Sequence, residues 1–219
     1  MLDAKAVEAM FTRGDGGYMC ARWGRPIVPV VFGVEDETLG VMKAALQALC
    51  RLADHDMAET DPELGVNLLV FFCREWDELA AVPDLDKLVP GLQELLAKLA
   101  ENDASQYRAF RFEPDGAIRA GIVFLRMKGE AAEVPADVLA LSQAVLSMLT
   151  WSESAFDATS PLASAPDGTV VLKPEIAALI RAAYDPVLPA ASDDPATALR
   201  LAARIRAGEG SAAAAPDEA

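Results

Sequence analysis

The sequence predicts an α+β fold: a mixed sheet packed against two or three long helices, followed by a disordered, acidic, Ala-rich C-terminal tail. Three observations carry that expectation. Val66–Phe72 is a near-continuous apolar run of strand length, the pattern of a central strand buried on both faces. Tyr107–Phe112 and Ile118–Met127 flank the turn Glu113-Pro114-Asp115-Gly116, a hairpin signal. Apolar residues also recur at helical spacing over residues 36–53, 85–99 and 138–149.

Taken in order, residues 1–19 are expected to form an N-terminal extension, with a short amphipathic helix over residues 1–10 and a flexible turn over residues 13–17. A single α+β domain is expected over residues 20–206. Its first strand is Ile27–Val34. Pro29 has no amide to donate, so this strand belongs at a sheet edge or carries a bulge. From Asp36 or Thr38 the period changes: Leu39, Met42, Leu46, Leu49 and Ala53 share one helical face, with Asp36 or Glu37 near the positive end of the helix dipole. A short helix follows over Glu75–Leu79. The broad leucine stripe of residues 85–99 forms a longer one, which Pro90 can divide. In Tyr107–Phe112, Tyr107, Ala109 and Arg111 alternate with Arg108, Phe110 and Phe112. Val138–Leu149 forms a strongly apolar helix, and residues 152–168 read as a long surface loop. Pro174–Tyr184 is a helix with Pro174 in its first turn and Ile176, Leu179, Ile180 and Ala183 inward. Thr197–Arg206 can be helical, and residues 207–219 are low in complexity and expected to be a disordered tail.

Acidic side chains outnumber basic ones 34 to 19, for a net charge of −15. Phosphate backbones and anionic surfaces are bound by clustered Lys and Arg, so no nucleic-acid partner is expected. No signal-peptide pattern and no run of about 18 apolar residues is seen. No membrane insertion is therefore expected, and the expected location is cytoplasmic. Cys20, Cys50 and Cys73 lack C-x-x-C spacing and are expected to be reduced thiols.

The order of elements resembles the zincin-like fold of metzincin peptidases, and Leu172–Tyr184 looks like the helix that closes matrixin-type domains. A nearer resemblance is to an uncharacterised proteobacterial zincin-like domain family. Arg22-Trp23-Gly24-Arg25-Pro26-Ile27, the Asn-led strand Asn67–Phe72 and Tyr184-Asp185-Pro186 carry that likeness over roughly residues 20–205. A zincin active site needs two histidines one helical turn apart and a neighbouring Glu. The corresponding helix here, Val138–Leu149, contains neither, and its Ser142-Gln143 step is preceded by Leu139 and Ala140. The resemblance thus implies a peptidase-type scaffold whose metal-binding residues are absent.

His55 is the single histidine of the chain, which leaves no second imidazole for a metal site and one candidate base for any triad. The flanking carboxylates Asp54 and Asp56 would raise its pKa, and with Glu59 and Asp61 this cluster could hold a divalent cation weakly, though it lacks a second nitrogen ligand and a regular loop spacing. No Gly-x-Ser-x-Gly elbow or Walker motif is present. No catalytic, metal-binding or cofactor-binding residue is therefore assigned, and no cofactor is expected. Trp151, Asp157 and Tyr184 are the candidate cleft or partner-binding residues, converging if a zincin-like cleft is kept. The expected function is that of a non-catalytic binding or scaffold protein whose partner is another protein. The alternative is a metal-free hydrolase using carboxylates such as Glu75, Asp77 and Asp157, which would need two acids in one pocket with pKa values pushed apart.

Overall fold

A computed structural model describes residues 2–213. Its centre is a four-stranded mixed sheet of β2 (Pro29–Phe32), β3 (Leu68–Cys73), β4 (Gln106–Phe112) and β5 (Ile118–Arg126), in the order β2-β3-β5-β4. The first three in that order run parallel, and β4 closes the far edge antiparallel to β5. Pro29 lies on the edge strand β2, where its missing amide costs no central ladder bond. Gly33 ends that strand with φ +80°, and a Cβ there would stand 2.2 Å from Phe72 O. β3 is the inner strand that its apolar run predicts. Leu68, Val70 and Phe72 enter the larger core, while Phe71 and Cys73 enter a smaller one on the opposite face.

Several helices contribute to the larger core. α2 (Asp36–Leu52) buries Met42, Leu46 and Leu49, three of the residues that its sequence period places on one face. It packs on α6 (Ala136–Met148), which buries Ala140, Gln143, Ala144, Val145, Ser147 and Met148. α7 (Pro174–Tyr184) begins at its proline and buries Ile176, Leu179 and Ile180. The smaller core lies under a 3₁₀ turn, Trp76–Ala81, and under α3 (Leu85–Leu88) and α4 (Leu92–Glu101), two helices that Pro90 separates.

The residues expected to form the N-terminal extension pack on the rest of the chain. α1 (Ala4–Ala9) packs against α8 (Thr197–Ala213), and Val7, Phe11 and Tyr18 join the larger core, the first two with no exposed surface. Short strands β1 (Cys20–Ala21) and β8 (Ala191–Ser192) pair antiparallel and tie the two ends of the domain together. The expected loop over 152–168 contains β6 (Leu162–Ser164), which forms a small hairpin with β7 (Val170–Leu172). Between β5 and α6 lies the one-turn helix α5 (Glu130–Glu133). Of the tail expected over 207–219, residues 207–213 continue α8, and residues 214–219 lie outside the described residues. No described helix is long and apolar enough to cross a membrane.

Candidate functional site

A concave feature with unusual chemistry lies between β4 and the C-terminal half of α6. β4 has a partner on one side only. Tyr107 is registered with Phe124 and Ala109 with Ile122, and the Arg126 N–H donates to Ser105 O at 2.8 Å. Hydrogen-bonded pairs alternate along an antiparallel ladder. Tyr107, Ala109 and Arg111 therefore turn their backbone groups toward β5, and Gln106, Arg108 and Phe110 turn theirs to the open edge. Among the described residues no other backbone group takes them. The open edge faces a cleft of about 600 Å³ whose walls include Arg108, Phe110 and Phe112 on one side and Leu146, Leu149 and Trp151 on the other.

Arg108 gives the cleft its charge. Its Nη2 donates to Gln143 Oε1 at 2.5 Å, and Gln143 Nε2 donates onward to Gln106 Oε1 at 3.2 Å. Its Nε is buried without a partner, and among the described residues no carboxylate lies within salt-bridge distance of the guanidinium. Burial pulls its pKa down to about 10. Arg13 is a second cation on the rim, and its Nη2 lies 2.9 Å from Met19 Sδ. Glu153 is the one carboxylate lining the cleft.

The three candidate cleft residues have different settings. Trp151 lines the cleft, stacks on Phe11 at 5.3 Å and meets Phe156 edge-on at 5.0 Å. Asp157 is exposed on the turn that follows. Tyr184 is buried, with its ring 5.1 Å from that of His55 and its hydroxyl donating to Met148 O at 2.9 Å. Among the described residues Trp151 and Tyr184 share no aromatic contact or hydrogen bond; what joins them is the end of α6. Trp151 Nε1 donates to Val145 O at 2.9 Å and Trp23 Nε1 to Ser147 O at 2.7 Å. With Tyr184, aromatic donors thus reach three of the last four carbonyls of α6, groups that a helix leaves without internal partners.

The chain matches no family model, no curated protein and no solved structure. Its chemistry has to be argued from its own side chains.

The residues that carried the family resemblance have structural tasks. Asn67 is fully buried; its Oδ1 accepts from the Val28 N–H at 2.7 Å, and its Nδ2 donates to Pro26 O at 2.8 Å and to Asp61 Oδ2 at 3.2 Å. Asp61 also accepts from the backbone N–H groups of Leu64 and Glu63, each at 2.9 Å, and from Arg25. The Leu64 and Glu63 amides, with Arg25 and Asn67, hold its carboxyl down to about 2 against the opposing effect of burial. Arg25 also pairs with Glu63 and Glu113. Burial alone would lower its pKa, yet the bonds from Asp61, Glu113 and Glu63 carry it above the ordinary value. Asp185 pairs with Arg204 of α8.

His55 corrects an expectation. Its Nε2 lies 3.0 Å from Arg25 O, and burial, reinforced by nearby Arg22, lowers its pKa despite the opposing effects of that contact and of Asp56. The neighbouring carboxylates do not outweigh desolvation. Burial also pushes the thiol of Cys20 up to about 12 and those of Cys50 and Cys73 up to about 11, far from a neutral-pH thiolate. Among the described residues no three His, Cys, Asp or Glu side chains gather as a metal site. Glu75 caps the 3₁₀ turn and pairs with Lys128, while Asp77 is exposed on that turn. These two acids and Asp157 are absent from the lining of the β4–α6 cleft.

Trp151 is a candidate from the sequence, whereas Arg108 and Gln143 are not. The signal for Arg108 was there: it shares a strand face with Phe110 and Phe112, so the alternation turns one cation inward with two phenylalanines. Its pairing with Gln143, 35 positions away, is a tertiary fact.

Proposed function

We propose that this chain is a non-catalytic binding protein on a zincin-like scaffold, and that it takes an extended segment of another protein as an added strand along β4. The observation that carries this reading is the free β4 edge opening onto the α6 cleft. Backbone N–H and C=O groups of an edge strand are a template for pairing, and side-chain pockets beside them add specificity. The zincin-like part of the reading rests on the order of elements and on an antiparallel edge strand beside a helix, α6, that carries no histidine and no carboxylate after Asp137. In this reading the site captures a chain without cutting it.

Panning a displayed heptapeptide library against the full chain tests the proposal. Bound peptides should shift the backbone amide resonances of Gln106, Arg108 and Phe110. Methylating alternate peptide nitrogens should abolish binding with a period of two, because every second amide of an added strand points at β4. Binding that shifts other residues, or a methyl scan without that period, would sink the reading.

A further inference from the structure

The sign of the cleft is opposite to that of the molecule. The chain carries a net charge of −15, yet the cleft is lined by two guanidinium groups, Arg13 and Arg108, and one carboxylate, Glu153. The other arginines and lysines with defined partners show how this protein ordinarily treats a cation. Arg25, Arg119, Arg126, Arg204, Lys87 and Lys128 each face a carboxylate, while the exposed Arg111 donates to Leu88 O at 2.7 Å and Arg13 meets Met19 Sδ. Arg22 lies over the Tyr184 ring, 5.6 Å from its centroid. Arg108 has neither arrangement: its bonded partner is an amide oxygen, and, although its buried Nε is unpaired like those of Arg22, Arg25 and Arg126, among the described residues it alone of these four has neither a carboxylate nor an aromatic ring beside it. Half-burying a charge without a counter-ion is unfavourable, and the Gln106–Gln143 amide chain fixes the guanidinium in place without neutralising it.

Within the strand-addition reading, on which this inference rests, we propose that the cleft selects segments bearing an acidic side chain, and that Arg108 is the residue that reads it. Side chains of an added strand alternate between the two sheet faces. Those on the α6 face share the side of β4 on which Arg108 lies. A Glu or Asp placed opposite Arg108 supplies the missing counter-ion through a planar, two-pronged contact that guanidinium favours. The residues two places away on the same face meet Leu146 and Trp151, which are only partly covered and apolar. The recognised pattern is therefore an acidic residue flanked at alternate positions by apolar ones. Charge complementarity also favours a separate partner, steered electrostatically to a basic cleft in an acidic surface.

The same heptapeptide panning reads this directly. Binders should be enriched in Glu or Asp at one position, with apolar residues two places away. A selected peptide should bind about tenfold or more tightly than its Glu→Gln counterpart, the size of a charge-assisted bond. Arg108→Met should erase that difference and Arg108→Lys should restore part of it, with thermal melts confirming that each variant is folded. Peptides that add along β4 with no acidic preference would overturn the inference and leave strand addition standing. An acidic preference that survives in Arg108→Met would also overturn it. Failure to select any β4 binder would remove strand addition and the inference together. A concentration-dependent dimer that fills the cleft with a second copy would overturn the assignment of a separate acidic partner.

Discussion

Asn67 shows how one polar side chain can fix a chain path. It has no exposed surface and serves the Val28 N–H, Pro26 O and Asp61 at once, so it ties the approach to β2 to the start of β3. Replacing it with Ala leaves buried groups unpaired, each at about 1–3 kcal/mol. Asn67→Ala should lower the unfolding free energy by about 3 kcal/mol in urea titration, and a loss below about 1 kcal/mol would contradict this assignment. His55 makes a prediction about pH. Its folded-state pKa lies below the unfolded value of about 6.5, so the unfolded chain takes up the proton first. Stability is then full above about pH 6.5 and declines as pH falls from there toward the depressed folded pKa. The groups facing the ring are Arg22, Asp56, Tyr184 and the carbonyl of Arg25. His55→Gln should flatten the pH dependence of the melting temperature between about pH 6.5 and 5, where few carboxylates titrate. An unchanged slope would refute it. Arg108 behaves in the opposite sense to Asn67. Arg108→Met should leave stability within about 1 kcal/mol of the parent or raise it, as for a charge kept for binding and not for folding.

At the scale of elements, α6 is held from its end. Trp23, Trp151 and Tyr184 donate to carbonyls that the helix cannot satisfy itself. Trp23→Phe and Tyr184→Phe each remove one donor while keeping a ring, and each should cost about 1–2 kcal/mol. The backbone N–H of Trp23 also lies 3.5 Å from the Tyr184 hydroxyl, and the two side chains donate to adjacent carbonyls, Ser147 O and Met148 O, so the two losses are coupled. The double variant should be less destabilised than the sum of the singles, by about 0.5 kcal/mol or more; strict additivity would place the two bonds in independent networks. Elements with a long period were legible in the sequence: α2, α7, the break at Pro90 and the β4–β5 hairpin appear where their patterns place them. The β6–β7 hairpin lies within the expected loop although its turn repeats the signal of the β4–β5 hairpin. Pro114-Asp115-Gly116 and Pro166-Asp167-Gly168 build the same turn. Each Asp accepts from the N–H two residues on, each Gly donates to the carbonyl three residues back, and the glycine φ values are +87° and +86°. Three-residue strands on either side of the second turn are too short for alternation to declare them. The β1–β8 pair, with two residues in each strand, was hidden for the same reason, and its partners come from opposite ends of the domain.

At the scale of the whole molecule, the α1–α8 contact and the β1–β8 pair join segments from the two ends of the described chain. An appended segment would leave its apolar residues half in solvent, whereas Val7 and Phe11 are completely buried. Ser152 N–H donates to Met10 O at 2.8 Å, and Ser152 Oγ lies 3.2 Å from Ala9 O, so the chain leaving α6 is stitched to α1. Phe11 stacks on Trp151, which places the N-terminal segment directly behind one wall of the cleft. Truncating a buried Phe to Ala ordinarily costs about 3–5 kcal/mol, a large part of the 5–15 kcal/mol that keeps a typical domain folded. Phe11→Ala should therefore lower the unfolding free energy by about 3 kcal/mol or more, and removing residues 2–11 should leave a chain without a cooperative thermal transition. The cleft should register the milder lesion even in molecules that remain folded, because Trp151 loses its stacking partner and gains access to water. Its fluorescence, isolated by comparison with a Trp151→Phe variant, should shift to longer wavelength in Phe11→Ala. A deletion that melts like the parent would restore the view of residues 1–19 as an extension. A destabilised Phe11→Ala with unshifted Trp151 emission would separate the core from the cleft.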